Sequence, residues 1–72
     1  MAYFIVERAA HVTFYKYLVQ ADDREDAADA EGEYLGYVDA EWTDGPEDEI
    51  SAAYDTEAGA LADELAYTEG TG

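Results

Sequence analysis

The sequence predicts an α+β domain of order ββαββα. It would have an antiparallel sheet of about four strands, a short helix between two hairpins and a short C-terminal helix. Three observations point there. Runs rich in aromatic and β-branched residues alternate with polar, turn-forming stretches. An alanine-rich segment follows a pair of aspartates in the middle of the chain. Apolar residues recur at helical spacing only near the C-terminal end.

Tyr3 to Arg8 reads as a first strand and Val12 to Gln20 as a second, joined by Ala9-Ala10-His11. In the second strand Tyr15, Tyr17 and Val19 share one face, and Phe14, Lys16 and Leu18 share the other. Both faces are largely apolar. One is expected to meet a helix, while Lys16 lays its stem along the other. Asp22 is the expected helix cap, with Glu25 as its capping-box partner. Asp23, Glu25 and Asp26 suit the positive end of the helix dipole. Ala27, Ala28 and Ala30 favour a helix over roughly 23–31, and Gly32 is the expected stop. Tyr34 to Trp42 reads as a third strand and Glu49 to Tyr54 as a fourth. The turn Thr43-Asp44-Gly45-Pro46-Glu47-Asp48 would join them into a second hairpin. Asp55-Thr56 offers another cap, and Ala58, Leu61, Ala62 and Leu65 carry a helix from about 57 to 66. Residues 1–67 form the expected domain, and 68–72 are expected to fray.

At 72 residues the chain suffices for one domain and a small core. There is no cysteine, so neither disulfides nor thiolate zinc sites contribute. Leu, Ile, Val and Phe make up only about a sixth of the residues, a share that with high net charge usually marks disorder. Seven Tyr and one Trp offset this, since each buries a large area with few rotatable bonds. The start of the chain lacks the order of a signal peptide, and no run is apolar enough to span a bilayer. The expected location is the cytoplasm, that of a host cell if the chain is phage-encoded.

The net charge of −16 falls entirely in residues 25–72, which contain no Lys or Arg. A small domain needs only about 2–8 net charges for solubility. Self-repulsion of this size works against a compact state.

Catalytic readings find little support. His11 is the only histidine and Ser51 the only serine, and nothing in their local sequence suggests a triad. The expectation is a protein without enzymatic activity or cofactor. The twelve residues from Asp22 to Glu33 end in Glu as a calcium loop does. Arg24 stands at its third position and Ala27 at its sixth, where glycine is needed, so no metal site is expected. Direct binding to nucleic acid or to an anionic membrane is opposed by the charge.

That objection inverts. Proteins that bind DNA do so through clustered Lys and Arg, and an array of carboxylates competes for the same cluster. Asp22, Asp26, Asp29 and Glu33 follow helical spacing, with steps close to the separation of alternate phosphates. In the expected second hairpin Asp39 and Glu41 share a face, and Asp44, Glu47, Asp48 and Glu49 gather at the turn. Like charges on adjacent strands are destabilising, so their company hints at a partner. The candidate contact residues are therefore Asp26, Asp29, Glu31, Glu33, Asp39, Glu41, Asp44, Glu47, Asp48 and Glu49, with Trp42 as an aromatic anchor beside Tyr34 and Tyr37.

In size, in its α+β pattern and in the acids from Glu25 to Glu49, the chain resembles the small DNA-mimicking inhibitors of phages and mobile elements. Anti-CRISPR, anti-restriction and uracil-DNA glycosylase inhibitor proteins are of this type. The resemblance is one of type across the whole chain and transfers no individual residue. It implies a partner that is a basic nucleic-acid-binding protein or complex, anti-CRISPR action foremost. Two other readings fit the composition: an acidic domain adapted to a salt-rich cytosol, and an acidic assembly subunit paired with a basic one. A homodimer would have to keep its acidic faces apart, which favours contact through residues 1–20.

Overall fold

A computed structural model describes residues 1–10, 12–39 and 47–70. Four strands form one antiparallel sheet: β1 (Ala2–Ala10), β2 (Thr13–Ala21), β3 (Glu33–Asp39) and β4 (Glu49–Ile50). α1 (Arg24–Asp29) lies between β2 and β3; α2 (Glu57–Leu61) and a 3-10 turn (Glu64–Ala66) follow β4. The α+β class and the ββαββα order are those the sequence predicts.

β1 and β2 are paired from Ala2↔Ala21 to Ala10↔Thr13, so Ala9 and Ala10 belong to the strand rather than to the connection. Side chains alternate across this hairpin, and both sides are covered. Phe4, Val6, Val19 and Ala21 pack against Ala27 of α1. Ile5 and Leu18 pack against Ala60 of α2, with Leu65 and Ala66 of the 3-10 turn beside them. The result is three thin layers with the hairpin at the centre, and Phe4, Ile5, Val6 and Val19 are its largest fully buried side chains. Alanine at the two helical contacts lets short helices sit close to the sheet.

The strand order is β3-β2-β1-β4, which corrects the expected second hairpin. β3 pairs with β2, and β4 pairs with β1 on the opposite edge. The reason is burial: the β1–β2 hairpin is apolar on both faces and takes the centre, so each later strand adds to a free edge of it. β4 is also shorter than expected. After Glu49↔Glu7 and Ile50↔Val6 the ladder is interrupted by a serine. Ser51 donates its N–H to the Ile5 carbonyl (2.9 Å), while its Oγ accepts from the Ile5 N–H (2.8 Å). The side chain thus stands in for a strand carbonyl, and pairing resumes at Tyr3↔Tyr54.

Asp23, not Asp22, caps α1. Its backbone is extended and its Oδ1 accepts from the Asp26 N–H at 2.8 Å. The helix ends at Asp29, short of the expected 31. Gly32 is not needed there as a helix stop: a Cβ on it would lie 2.3 Å from the Leu18 carbonyl oxygen, so the glycine lets the chain press against β2. Thr56 caps α2. The expected single helix to 66 breaks at Asp63, whose carboxylate accepts from Leu65 N–H and from the Tyr54 hydroxyl and so competes with helix continuation. Residues 68–70, expected to fray, run along the outer edge of β3. Tyr37 donates to Gly70 O (3.0 Å), and Glu69 donates its N–H to Tyr37 O. Both free edges of the sheet are thereby short.

Candidate acidic interface

The candidate residues fall into separate groups. Asp26 and Asp29 are exposed on α1, Glu31 in the connection that follows it, and Glu33 and Asp39 at the two ends of β3. Asp22 precedes the cap and Glu33 begins a strand, so the four-residue stripe is not a helical ladder. Glu47, Asp48 and Glu49 are exposed on the far edge, at β4. Two strands separate the edges, which stand about 14 Å apart at roughly 4.8 Å per step, and Asp39 and Glu49 are also three residues out of line along the strands. Glu41, Trp42 and Asp44 lie outside the described residues. Asp48 has a local duty: its Oδ1 accepts from the Ala9 N–H at 2.8 Å.

Each cation has a partner within its own chain, and only Lys16 is buried. Lys16 Nζ is 2.5 Å from Glu7 Oε1, and both residues are buried. They are register partners on the face that carries α2, so Lys16 lays its stem along that face, as expected, and ends in a buried ion pair. Arg8 donates to the Ala30 carbonyl (2.8 Å) and lies 5.1 Å from the centre of the Tyr17 ring. Arg24 donates to the Ile50 carbonyl (2.9 Å). Among the described residues no other ion pair exists, so no exposed carboxylate there is paired with a cation. Glu31, Glu33 and Glu57 share an open groove of about 500 Å³ with Met1, Tyr3 and Leu18.

The arrangement that sequence reasoning missed is aromatic. Tyr15 is the register partner of Tyr37, and Tyr17 of Tyr34, which puts all four rings on the α1 side of the sheet. Tyr34 and Tyr37 are three apart in sequence and share a face only because a register shift opposite Lys16/Tyr17 inserts Leu35. Tyr34 packs on Tyr17 at 5.6 Å and on Tyr15 at 6.2 Å between ring centres. Burial, and then the neighbouring phenols of Tyr15, Tyr17 and Tyr37, push the Tyr34 hydroxyl above its ordinary value. The repeated Tyr-x-Tyr of β2 was a visible signal, but it acquires meaning only once β3 is known to pair with β2.

The fold and surface define a three-layer α+β domain with an uncompensated carboxylate exterior and one tyrosine-rich face. Comparison with family models, with curated proteins and with solved structures finds no match to this chain. No helix among the described residues is long and apolar enough to cross a membrane.

Proposed function

We propose that this protein is an acidic inhibitor that binds the cationic, nucleic-acid-binding surface of another protein, with its carboxylates in place of phosphates. A host defence protein is the proposed target, a CRISPR effector the first to test, in a host cytoplasm. One observation carries the reading: the three cations are engaged by Glu7, Tyr17 and backbone carbonyls, and among the described residues none forms an ion pair with an exposed carboxylate. Such a surface attracts a basic partner over long range, and the association is fast and salt-sensitive.

A second observation favours the salt-rich cytosol. Exposed acids stand on α1, at both edges of the sheet, on α2, in the 3-10 turn and on the tail, and are not gathered on one face. Even spacing of this kind suits hydration in concentrated salt, where repulsion is screened.

The test has two arms. Circular dichroism melts at ordinary and molar salt come first. A fold retained at ordinary salt is expected of the inhibitor; unfolding there favours the second reading. Capture from a host lysate, with and without competing DNA, follows. A nucleic-acid-binding protein displaced by DNA is the expected result. Reversing Asp26 and Asp29 to Lys should then weaken its binding at least tenfold, roughly the 1.4 kcal/mol of one decade, if close charge pairs form there. These two serve better than Asp48, which also holds β1.

A further inference from the structure

α1 is six residues long and covers only part of its side of the sheet, over Phe4, Val6, Val19 and Ala21. Beside it stand the two rows Tyr15–Tyr37 and Tyr17–Tyr34 on β2 and β3. Tyr15 is 37% exposed, and Tyr34 and Tyr37 are half-buried. This patch already receives a cation from its own chain, since the Arg8 guanidinium lies 5.1 Å from the Tyr17 ring centre. Arg8 is held in that place by the Ala30 carbonyl, so it does not extend over the remaining rings.

We propose that Tyr15 and Tyr34 form a receptor for an arginine side chain of the partner, with the guanidinium stacked on their rings. The inference rests on the cationic-partner reading and names the contact that reading lacks. Three observations select this occupant. The rings offer flat, electron-rich faces, and the Arg8–Tyr17 contact displays the same pairing within the patch. Exposed Asp39 is two residues from Tyr37 and on the same side of β3, so an incoming cation meets a carboxylate at that end of the patch. A second copy of the chain brings a charge of −16 to the same place and is repelled. Arginine is favoured over lysine because its cation is planar and weakly hydrated and stacks on aromatic faces.

The experiment measures fluorescence anisotropy with labelled nona-arginine and nona-lysine, at the lowest salt at which circular dichroism shows the protein folded. The wild type should bind the arginine peptide about tenfold more tightly, as expected from stacking on two partly exposed rings. Y15T/Y34T, which keeps good strand formers, should lose that preference while its affinity for nona-lysine is unchanged. Y15F/Y34F, which keeps the rings, should retain it. If Y15T/Y34T fails to fold, Y15T alone carries the test and should lose roughly half the preference on a logarithmic scale. Equal binding of both peptides by the wild type, or a preference that survives loss of the rings, overturns the inference and leaves the cationic-partner reading standing. No binding of either peptide overturns both. A wild-type dimer in sedimentation that Y15T/Y34T dissolves would give the patch to a second copy and overturn the arginine receptor.

Discussion

Lys16 and Glu7 are the residues on which the surface argument turns, because burying them removes a cation from the exterior. A buried pair is not a large source of stability, since desolvation offsets much of its attraction, but breaking it leaves a buried charge alone. Lys16→Met should therefore cost about 3–5 kcal/mol in urea denaturation, a large part of the roughly 4–11 kcal/mol available to a domain of this length. The double variant E7L/K16M should recover most or all of that loss. A single variant as stable as wild type would mean that the pair is hydrated. At Tyr54 and Asp63 the prediction is a pH dependence. The Tyr54 hydroxyl, then the Leu65 N–H, hold the Asp63 carboxyl below its ordinary value, and the same bond to Asp63 raises the Tyr54 phenol. The carboxylate's contribution is present above the ordinary carboxylate range and is lost as pH falls through its lowered value. The phenol's contribution is full below about 10, its ordinary value, and is lost as pH rises through its raised one. Tyr54→Phe should lower Tm at neutral pH, and the gap to wild type should close at both ends. A gap constant with pH would show that the bond contributes nothing.

The elements test how strands attach to the central hairpin. Gly36 has a φ of +145°, and a Cβ there would lie 2.0 Å from the Gly70 carbonyl oxygen. Gly36→Ala should strain β3 and detach residues 68–70, so the Tyr37 and Glu69 amides should lose hydrogen-exchange protection before the β1–β2 amides do. Loss of protection throughout would show that the tail and the hairpin open as one unit. Ser51→Ala should cost about 1–3 kcal/mol by leaving the buried Ile5 N–H without a partner. These attachments mark the limit of what was legible. The runs Tyr3–Arg8 and Val12–Gln20, the alanine helix and the Thr56 cap were all readable, because local period and capping chemistry decide them. The pairing of β3 and β4 was not. A strong turn signal at 43–48 favours a hairpin locally, while burial of a two-faced apolar hairpin sends the strands to opposite edges. The candidate acids were readable as a composition but not as an array, since their grouping depends on that pairing, and the tyrosine face was hidden for the same reason.

At the scale of the whole molecule the deciding quantity is repulsion among carboxylates that outnumber the cations 19 to 3. Glu31, Glu33 and Glu57 come from the α1–β3 connection, from β3 and from α2, and meet around one groove. None of them has a hydrogen-bond or ion-pair role among the described contacts that a neutral amide would break. Replacing all three with Gln should therefore raise Tm by a few degrees at low salt and change it little at molar salt, where the Debye length falls to about 3 Å. The same comparison weighs the two functional readings. If the wild type is folded at low salt and the substitutions add only a small increment, the fold tolerates its charge and the carboxylates are free to serve a partner. If the wild type is unfolded there and the three substitutions restore it, concentrated salt is a condition of folding, and the acidity answers to solvent before it answers to any ligand.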